Sequence, residues 1–415
     1  MFKKSFNLFL RPLRLQRLLR QIFSFQHNKN HMTTFLPFSK PSISDAAIDE
    51  VVACLKSGWI TTGPRVQQFE HALGEYLQAP HTAALSSATA AMHLALLALD
   101  LQPGDEIITT PLTFVATLNV IVQAGGKPVL VDVDHTYNMD VSKLPQAITP
   151  RTRAIMPVHL TGLPVDLDPL YALAKKHDLR VLEDAAQAIG TGYKGRLLGS
   201  FGDIQTFSFH PNKNMTTGEG GCITTHDEAL IQKIRALRFH GIDRSAWDRY
   251  GKKGDQAYDV IAPGFKYNMM DIQAALGIHQ LPELEDFIAK RTLLAERYLS
   301  ILGDWPELTL PQLPAYAHRH SWHLFCVLIN PEAAHLNRDT FMQEMKAHNI
   351  GTGLHYNAAH LYRFYQEHFG FKKGDFPVAE NICSRIVSLP LFPDLTISEQ
   401  DRVIAAMGKV FGEKI

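Results

Sequence analysis

Beyond residue 40, short runs rich in β-branched and apolar residues alternate with longer stretches whose apolar positions recur at helical spacing. Glu106–Thr110, Pro128–Val133, Ala154–His159, Arg180–Glu183, Ile204–Phe209 and Gly221–Thr225 read as strands. Ala88–Leu99, Phe114–Gln123 and Asp168–His177 read as helices between them. Strands separated by helices imply crossover connections, so the pattern predicts an α/β fold with a mostly parallel sheet covered on both faces. Ligands of such sheets sit at the carboxyl ends of the strands, so chemistry is expected just after each strand. Near residue 281 the texture changes. A long charged helical stretch, Leu281–Leu302, leads into mixed strand-like and helical pieces. The expected organisation is an extension over 1–31, a large domain over 32–280 and a smaller α+β domain over 281–415.

A chain of 415 residues with 46% hydrophobic content is long enough for two such cores. Basic and acidic residues balance at 41 each, which gives no sign of nucleic-acid binding. The balance is uneven along the chain: residues 1–31 hold seven Lys/Arg and no acid. That leader lacks the continuous apolar stretch and small-residue cleavage site of a signal peptide. It reads as a basic amphipathic helix for a membrane surface or as an extension upstream of a start at Met32; the second is the expectation. Cys54, Cys222, Cys326 and Cys383 are scattered without CxxC spacing. They form neither a disulfide framework nor a zinc site, as expected of a reducing cytosol, and no metal is expected. No apolar run approaches the roughly 20 residues that a membrane span needs.

Three strand ends carry candidate chemistry. After Val181-Leu-Glu comes Asp184, then Ala-Ala-Gln187. A carboxylate there suits a cationic ring nitrogen, and it equally suits a helix N-cap. After Thr206-Phe-Ser208-Phe-His210 comes a polar turn holding Lys213, followed by the Gly-rich run to Gly221. A lysine so placed condenses with an aldehyde if its pKa is lowered; a solvated loop lysine has the same pattern. Ser208 is a candidate phosphate ligand, and His210 a candidate for substrate or for orienting Lys213. The third end, Leu85-Ser-Ser-Ala88-Thr89, opens a helix with small and hydroxylated residues. Free amides there cradle a phosphate, although a merely capped helix looks alike. Phe114 reads either as a ring-stacking group or as core.

Together and in this order these segments resemble the DegT/DnrJ/EryC1/StrS sugar aminotransferases, fold-type-I enzymes that use pyridoxal 5'-phosphate. The likeness runs from about Phe35 to the C-terminus. Its other markers are Gly58–Pro64, Thr217–Gly221, Arg238-Phe-His-Gly241, Gln273–Leu276 and Leu389–Phe392. The resemblance implies that Lys213 joins the cofactor covalently and that Asp184 pairs with its ring nitrogen. It implies Gln187 beside the cofactor hydroxyl, Phe114 stacked on the ring, and Ala88, Thr89 and Ser208 on the phosphate. Asn268 would reach that phosphate from the neighbouring subunit of a homodimer. Two positions depart from many relatives: Ala88 stands for Gly, and Met270 for Arg. The first is tolerable where the backbone is not left-handed.

The lysine separates this chain from the family branch that dehydrates sugars with a histidine in its place. Glutamate is then the expected amino donor, a nucleotide-linked keto sugar the acceptor, and the kinetics ping-pong. His210, Arg238 and His355 are the expected substrate-face residues; His320 and His360 read as ordinary packing residues. Phe35–Pro41, Pro263–Asn268, Trp322–Phe325, Gly351–His355 and Ser388–Asp394 resemble the branch that makes UDP-4-amino-4-deoxy-L-arabinose for lipid A. That implies a UDP-linked 4-keto pentose acceptor. The alternatives are a UDP-, GDP- or dTDP-linked 4-keto-6-deoxyhexose for surface polysaccharide, and a non-catalytic cofactor-binding regulator.

Overall fold

The computed structural model describes residues 34–243 and 257–412; the basic extension lies outside the described residues. Seven strands form the central sheet, in the order β1-β9-β8-β5-β4-β2-β3. They are β1 (His81–Leu85), β2 (Glu106–Thr109), β3 (Lys127–Leu130), β4 (Thr152–Ile155), β5 (Arg180–Asp184), β8 (Ile204–Ser208) and β9 (Gly221–Thr225). All neighbours run parallel except β9, which is antiparallel to both β8 and β1. Strands β8 and β9 are buried throughout, which is why they read as apolar or Thr-rich runs rather than as alternating patterns. Strand β1 escapes the sequence reading. Its His-Thr-Ala-Ala-Leu segment has weak β propensity, and pairing with β9 along its full length overrides that preference. A separate small antiparallel ribbon pairs β6 (Gly192–Tyr193) with β7 (Arg196–Leu197) on one side and β11 (His318–Arg319) on the other.

The C-terminal part holds a three-stranded antiparallel sheet, β10 (Leu308–Thr309), β12 (Phe325–Ile329) and β13 (Ile386–Leu389). The long helix expected from Leu281 begins at Asp271 and runs unbroken to Leu302, with Pro282 inside it. Gly277 makes the early part possible, because the Phe69 ring lies where a Cβ would stand, 2.6 Å away. Leu281, Leu284 and Ile288 of this helix join the core under the large sheet, with Phe69 and Phe207. Leu294, Tyr298 and Leu302 join a second core with Phe325, Phe341 and Met407. One helix thus serves two cores, and the boundary expected at 281 falls within it. The first described residues belong to the second core as well. Leu36 is buried there, its amide donating to Asn349 O at 2.9 Å and its carbonyl accepting from Gly351 N at 2.7 Å. We therefore assign the stretch around Leu36 to the C-terminal unit and place the division inside the long helix.

Arg291 sits where the two cores meet. It is fully buried, and its Nη1 donates to the carbonyls of Trp322, His323 and Leu391 at 3.3, 3.2 and 2.9 Å. Burial without a carboxylate partner depresses its pKa to about 9. Replacing it by methionine leaves three buried carbonyls without their donor. Arg291→Met is expected to cost about 3 kcal/mol of unfolding free energy, read by chemical denaturation; a cost under about 1 kcal/mol contradicts this role.

Candidate active site

Asp184 ends β5 with its side chain buried. Its Oδ2 accepts from Thr117 Oγ1 at 2.7 Å, and its Oδ1 from the Ala186 amide at 3.2 Å. Thr117 in turn lies 2.8 Å from the Thr113 hydroxyl. No helix follows Asp184 directly, so the N-cap reading does not apply. Burial raises its pKa; the Thr117 and Ala186 donors and nearby Lys213 oppose that rise and favour the carboxylate. One residue earlier, on the opposite side of the strand, Glu183 is an acceptor for His159 Nε2, Tyr171 Oη and Gln205 Nε2 at 2.8, 2.6 and 2.7 Å. The Val165 amide donates to His159 Nδ1 at 3.0 Å, so the ring proton belongs on Nε2, facing Glu183. This largely buried network fixes the strand end behind Asp184 and went unread in the sequence.

Lys213 follows β8 in a turn closed by its own amide on His210 O at 2.9 Å. Its amine makes no hydrogen bond among the described residues. Burial lowers its pKa to about 8, and Asp184 pulls in the other direction. The chain then returns through Thr216, whose hydroxyl donates to Phe209 O at 2.9 Å, to Gly221 at the start of β9.

Gly221 decides where the next helix begins. A Cβ there would stand 2.4 Å from Ala88 N and 2.5 Å from the Ser87 carbonyl carbon. Ser87 caps the helix Ala88–Ala98 by accepting the Ala90 amide at 3.0 Å. The amides of Ala88 and Thr89 have no intrahelical partner, and both residues line the cavity together with Ser208. Ala88 has ordinary negative φ, so the departure from Gly is tolerated.

Ala88, Thr89, Phe114, Asp184, Gln187, Ser208, His210, Lys213 and His355 line one cavity of about 410 Å³. Phe114 is 55% exposed rather than core, at 5.7 Å from the Tyr356 ring. Gln187 accepts the Thr161 amide at 2.7 Å and donates to Tyr356 Oη at 2.8 Å. Tyr356, Asn212 and Glu219 also line the cavity and were missed; the run His355-Tyr356 held the only signal for the first.

Two expected residues stand elsewhere. Arg238 is not brought to the cavity of its own chain: its guanidinium pairs with the Glu70 carboxylate and donates to Ala84 O at 2.8 Å. The rest of its Arg-Phe-His-Gly motif lies against a later segment: the His240 amide donates to Phe265 O at 2.9 Å, and a Cβ at Gly241 would meet Ala262 O. Asn268 does not line the cavity of its own chain either; it donates to Thr62 Oγ1 and accepts from Lys266 Nζ at 2.8 Å. His320 is stacked on Trp322 at 3.9 Å, and His360 pairs with Glu380 at 3.0 Å.

The sequence model of the DegT/DnrJ/EryC1/StrS aminotransferase family matches residues 41–408. The chain belongs to that family. It is 45% identical over 384 residues to the spore coat polysaccharide biosynthesis protein SpsC of Bacillus subtilis, covering 91% of this chain and 97% of SpsC. PseC of Helicobacter pylori, an aminotransferase involved in the biosynthesis of pseudoaminic acid, superposes with a TM-score of 0.84 at 29% identity, covering 91% of this chain and 99% of PseC. Spr1654 of Streptococcus pneumoniae, described as a sugar aminotransferase and solved with pyridoxal phosphate, superposes at 0.83 with 34% identity, covering 91% of this chain and 98% of that one. The protein is a sugar aminotransferase that depends on pyridoxal phosphate.

The residues present fit that cofactor. The cavity supplies an amine of lowered pKa, a buried carboxyl whose two donors oppose the rise that burial imposes, and a helix start whose approach requires Gly221. Condensation with an aldehyde needs the neutral amine. With the Lys213 pKa near 8, the rate at which the apoenzyme takes up pyridoxal phosphate is expected to rise with pH and level off just above 8. A solvated lysine would keep rising past about 10. Because Asp184 raises the lysine pKa, Asp184→Asn is expected to move the midpoint to lower pH. A midpoint near that of a free lysine, followed by absorbance, contradicts the assignment.

Gly221→Ala is expected to push the helix start away and weaken cofactor affinity about tenfold or more, the equivalent of one lost phosphate hydrogen bond. Equilibrium titration with pyridoxal phosphate measures it; unchanged affinity contradicts the role given to Gly221.

Proposed function

We propose that the enzyme moves the amino group of glutamate to C4 of a nucleotide-linked 4-keto sugar, with a UDP-linked 4-keto pentose as acceptor. The observation that carries the chemistry is the meeting of Lys213, Asp184 and the capped helix start in one cavity. In this reading Ala88, Thr89 and Ser208 hold the cofactor phosphate, Phe114 covers one ring face, and Gln187 lies by the ring hydroxyl. Asp184 sets its carboxylate against the ring nitrogen. When bound, pyridoxal phosphate supplies an aldehyde carbon and a ring that withdraws electrons. Lys213 moves the proton: its neutral Nζ takes one from the α-carbon of the donor, and its ammonium form gives it back later. Phe114 and Tyr356, with ring centroids 5.7 Å apart, stand together on the cavity wall. His210 and His355 face the sugar.

The pentose assignment rests on the likeness of the C-terminal segments, where His355 lies. A close-fitting pentose pocket excludes the sixth carbon sterically, whereas a hexose pocket admits the smaller sugar at a cost of only about 1–3 kcal/mol. A second reading, a 4-keto-6-deoxyhexose for surface polysaccharide, draws support from the names of SpsC and PseC. Comparing kcat/KM for the two sugars with glutamate held constant decides: a preference for the hexose overturns the pentose and leaves the aminotransferase standing. Lys213→Ala is expected to lose transamination by orders of magnitude while still binding cofactor.

The reading also makes the active site a shared one. Asn268 would reach the phosphate of a two-fold partner, which fits its position outside the cavity of its own chain. Mixing inactive Lys213→Ala with Asn268→Ala protein is expected to give activity above either parent, since one site of the mixed dimer keeps both residues. No rise after confirmed subunit exchange argues for a site built from one chain.

A further inference from the structure

His355 lines the cavity, yet one edge of its ring is held from behind. Nδ1 lies 2.7 Å from Ser388 Oγ, and that oxygen lies 3.2 Å from Cys326 Sγ. Cys326 and Ser388 are register partners across β12 and β13, so the three side chains form a file from the second sheet to the cavity. Gly353 closes the same edge: a Cβ there would stand 2.7 Å from His355 Cε1 and 3.1 Å from Nδ1. Gly353 and Ser388 also exchange backbone hydrogen bonds of 2.9 and 2.8 Å, which ties the loop carrying His355 to the strand carrying the serine. With the Nδ1–Cε1 edge taken, Nε2 is the ring nitrogen left for the cavity; it makes no hydrogen bond among the described residues.

Burial keeps this imidazole neutral, its pKa lowered to about 4. A neutral ring carries one proton, and what it offers to a ligand depends on which nitrogen holds it. Burial also pushes the Cys326 thiol up to about 12, so it stays protonated and has a hydrogen to give. Ser388 has a single hydrogen to place, between an imidazole nitrogen and a thiol sulfur. Sulfur is the weaker acceptor of the two. The favoured order is therefore thiol to serine oxygen, and serine hydroxyl to Nδ1.

We propose that Ser388, backed by Cys326, is a positioning residue that fixes His355 as the Nε2–H tautomer, so that the cavity meets a hydrogen-bond donor there. The proposal rests on the reading of His355 as a substrate-facing residue and gives that residue a chemical sense. It recognises an oxygen that carries no hydrogen, either the keto oxygen of the sugar or a carboxylate oxygen of the amino donor. Without Ser388 both tautomers become available, and half of the specification is lost.

The test uses the holoenzyme with 15N-labelled histidine, His355 being assigned by difference with His355→Gln. NMR is expected to show His355 with Nε2 protonated and Nδ1 unprotonated, and Ser388→Ala to show a mixture or the reverse. A protonated Nδ1 in the wild-type enzyme overturns the proposal whether or not any variant folds; so does an unchanged tautomer in a folded Ser388→Ala. Kinetics supply the second arm. A glutamine amide mimics Nε2–H and an asparagine amide mimics Nδ1–H. His355→Gln is expected to stay within about tenfold of wild-type kcat/KM, and His355→Asn and Ser388→Ala to fall further. A fall confined to the sugar half-reaction identifies the keto oxygen, and one confined to the glutamate half-reaction identifies the carboxylate. If the tautomer is Nε2–H but His355→Asn turns over normally, the substrate-facing reading fails and the positioning by Ser388 stands.

Discussion

Burial acts in opposite directions on Lys213 and Asp184. It favours the neutral amine and the neutral acid alike, and left to itself would strip both groups of charge. The structure resolves this by giving donors to one side only. Asp184 receives the Thr117 hydroxyl and the Ala186 amide, while the Lys213 amine makes no hydrogen bond among the described residues. The donors thereby oppose the rise that burial imposes on the carboxyl, while Asp184 alone opposes the fall of the amine to about 8. The role proposed for Lys213, nucleophile and proton carrier near neutral pH, needs that asymmetry.

The scaffold exists to hold this pair against the third element, the helix start. The three come from successive parallel strand ends and from one antiparallel return. Strand β9 reverses direction to bring Gly221 against Ser87 and Ala88, and any side chain at Gly221 would separate the helix start from the lysine loop. Behind the sheet, Glu183 gathers three donors and cannot shift without stranding them. The second core enters through the helix Asp271–Leu302, which belongs to both units, and through Arg291, whose guanidinium ties the carbonyls of Trp322, His323 and Leu391 together. These links bring His355 and Tyr356 across to the cavity.

Motifs at strand ends were legible because each needs a particular residue within a few positions: an acid after β5, a lysine after β8, small residues before the helix at Ala88. The burial pattern also announced most central strands. What could not be read were partners distant in sequence. Thr117 is 67 residues from Asp184, and Ser388 is 33 from His355. Arg238 is a further case. Its motif gave no sign that the Glu70 carboxylate and a β1 carbonyl hold the side chain.

The sequence by itself determined the sheet-and-helix alternation and the family, and it singled out the lysine and the aspartate that meet in the cavity, since these follow from local periodicity and short motifs. Tertiary structure alone decided that Phe114 is exposed over a cavity, that one helix serves two cores, that β1 pairs at the edge of the sheet, and which histidines meet the ligand space. The physical reason is that burial, and with it pKa, tautomer and hydrogen-bond partner, is set by what packs against a side chain from remote parts of the chain.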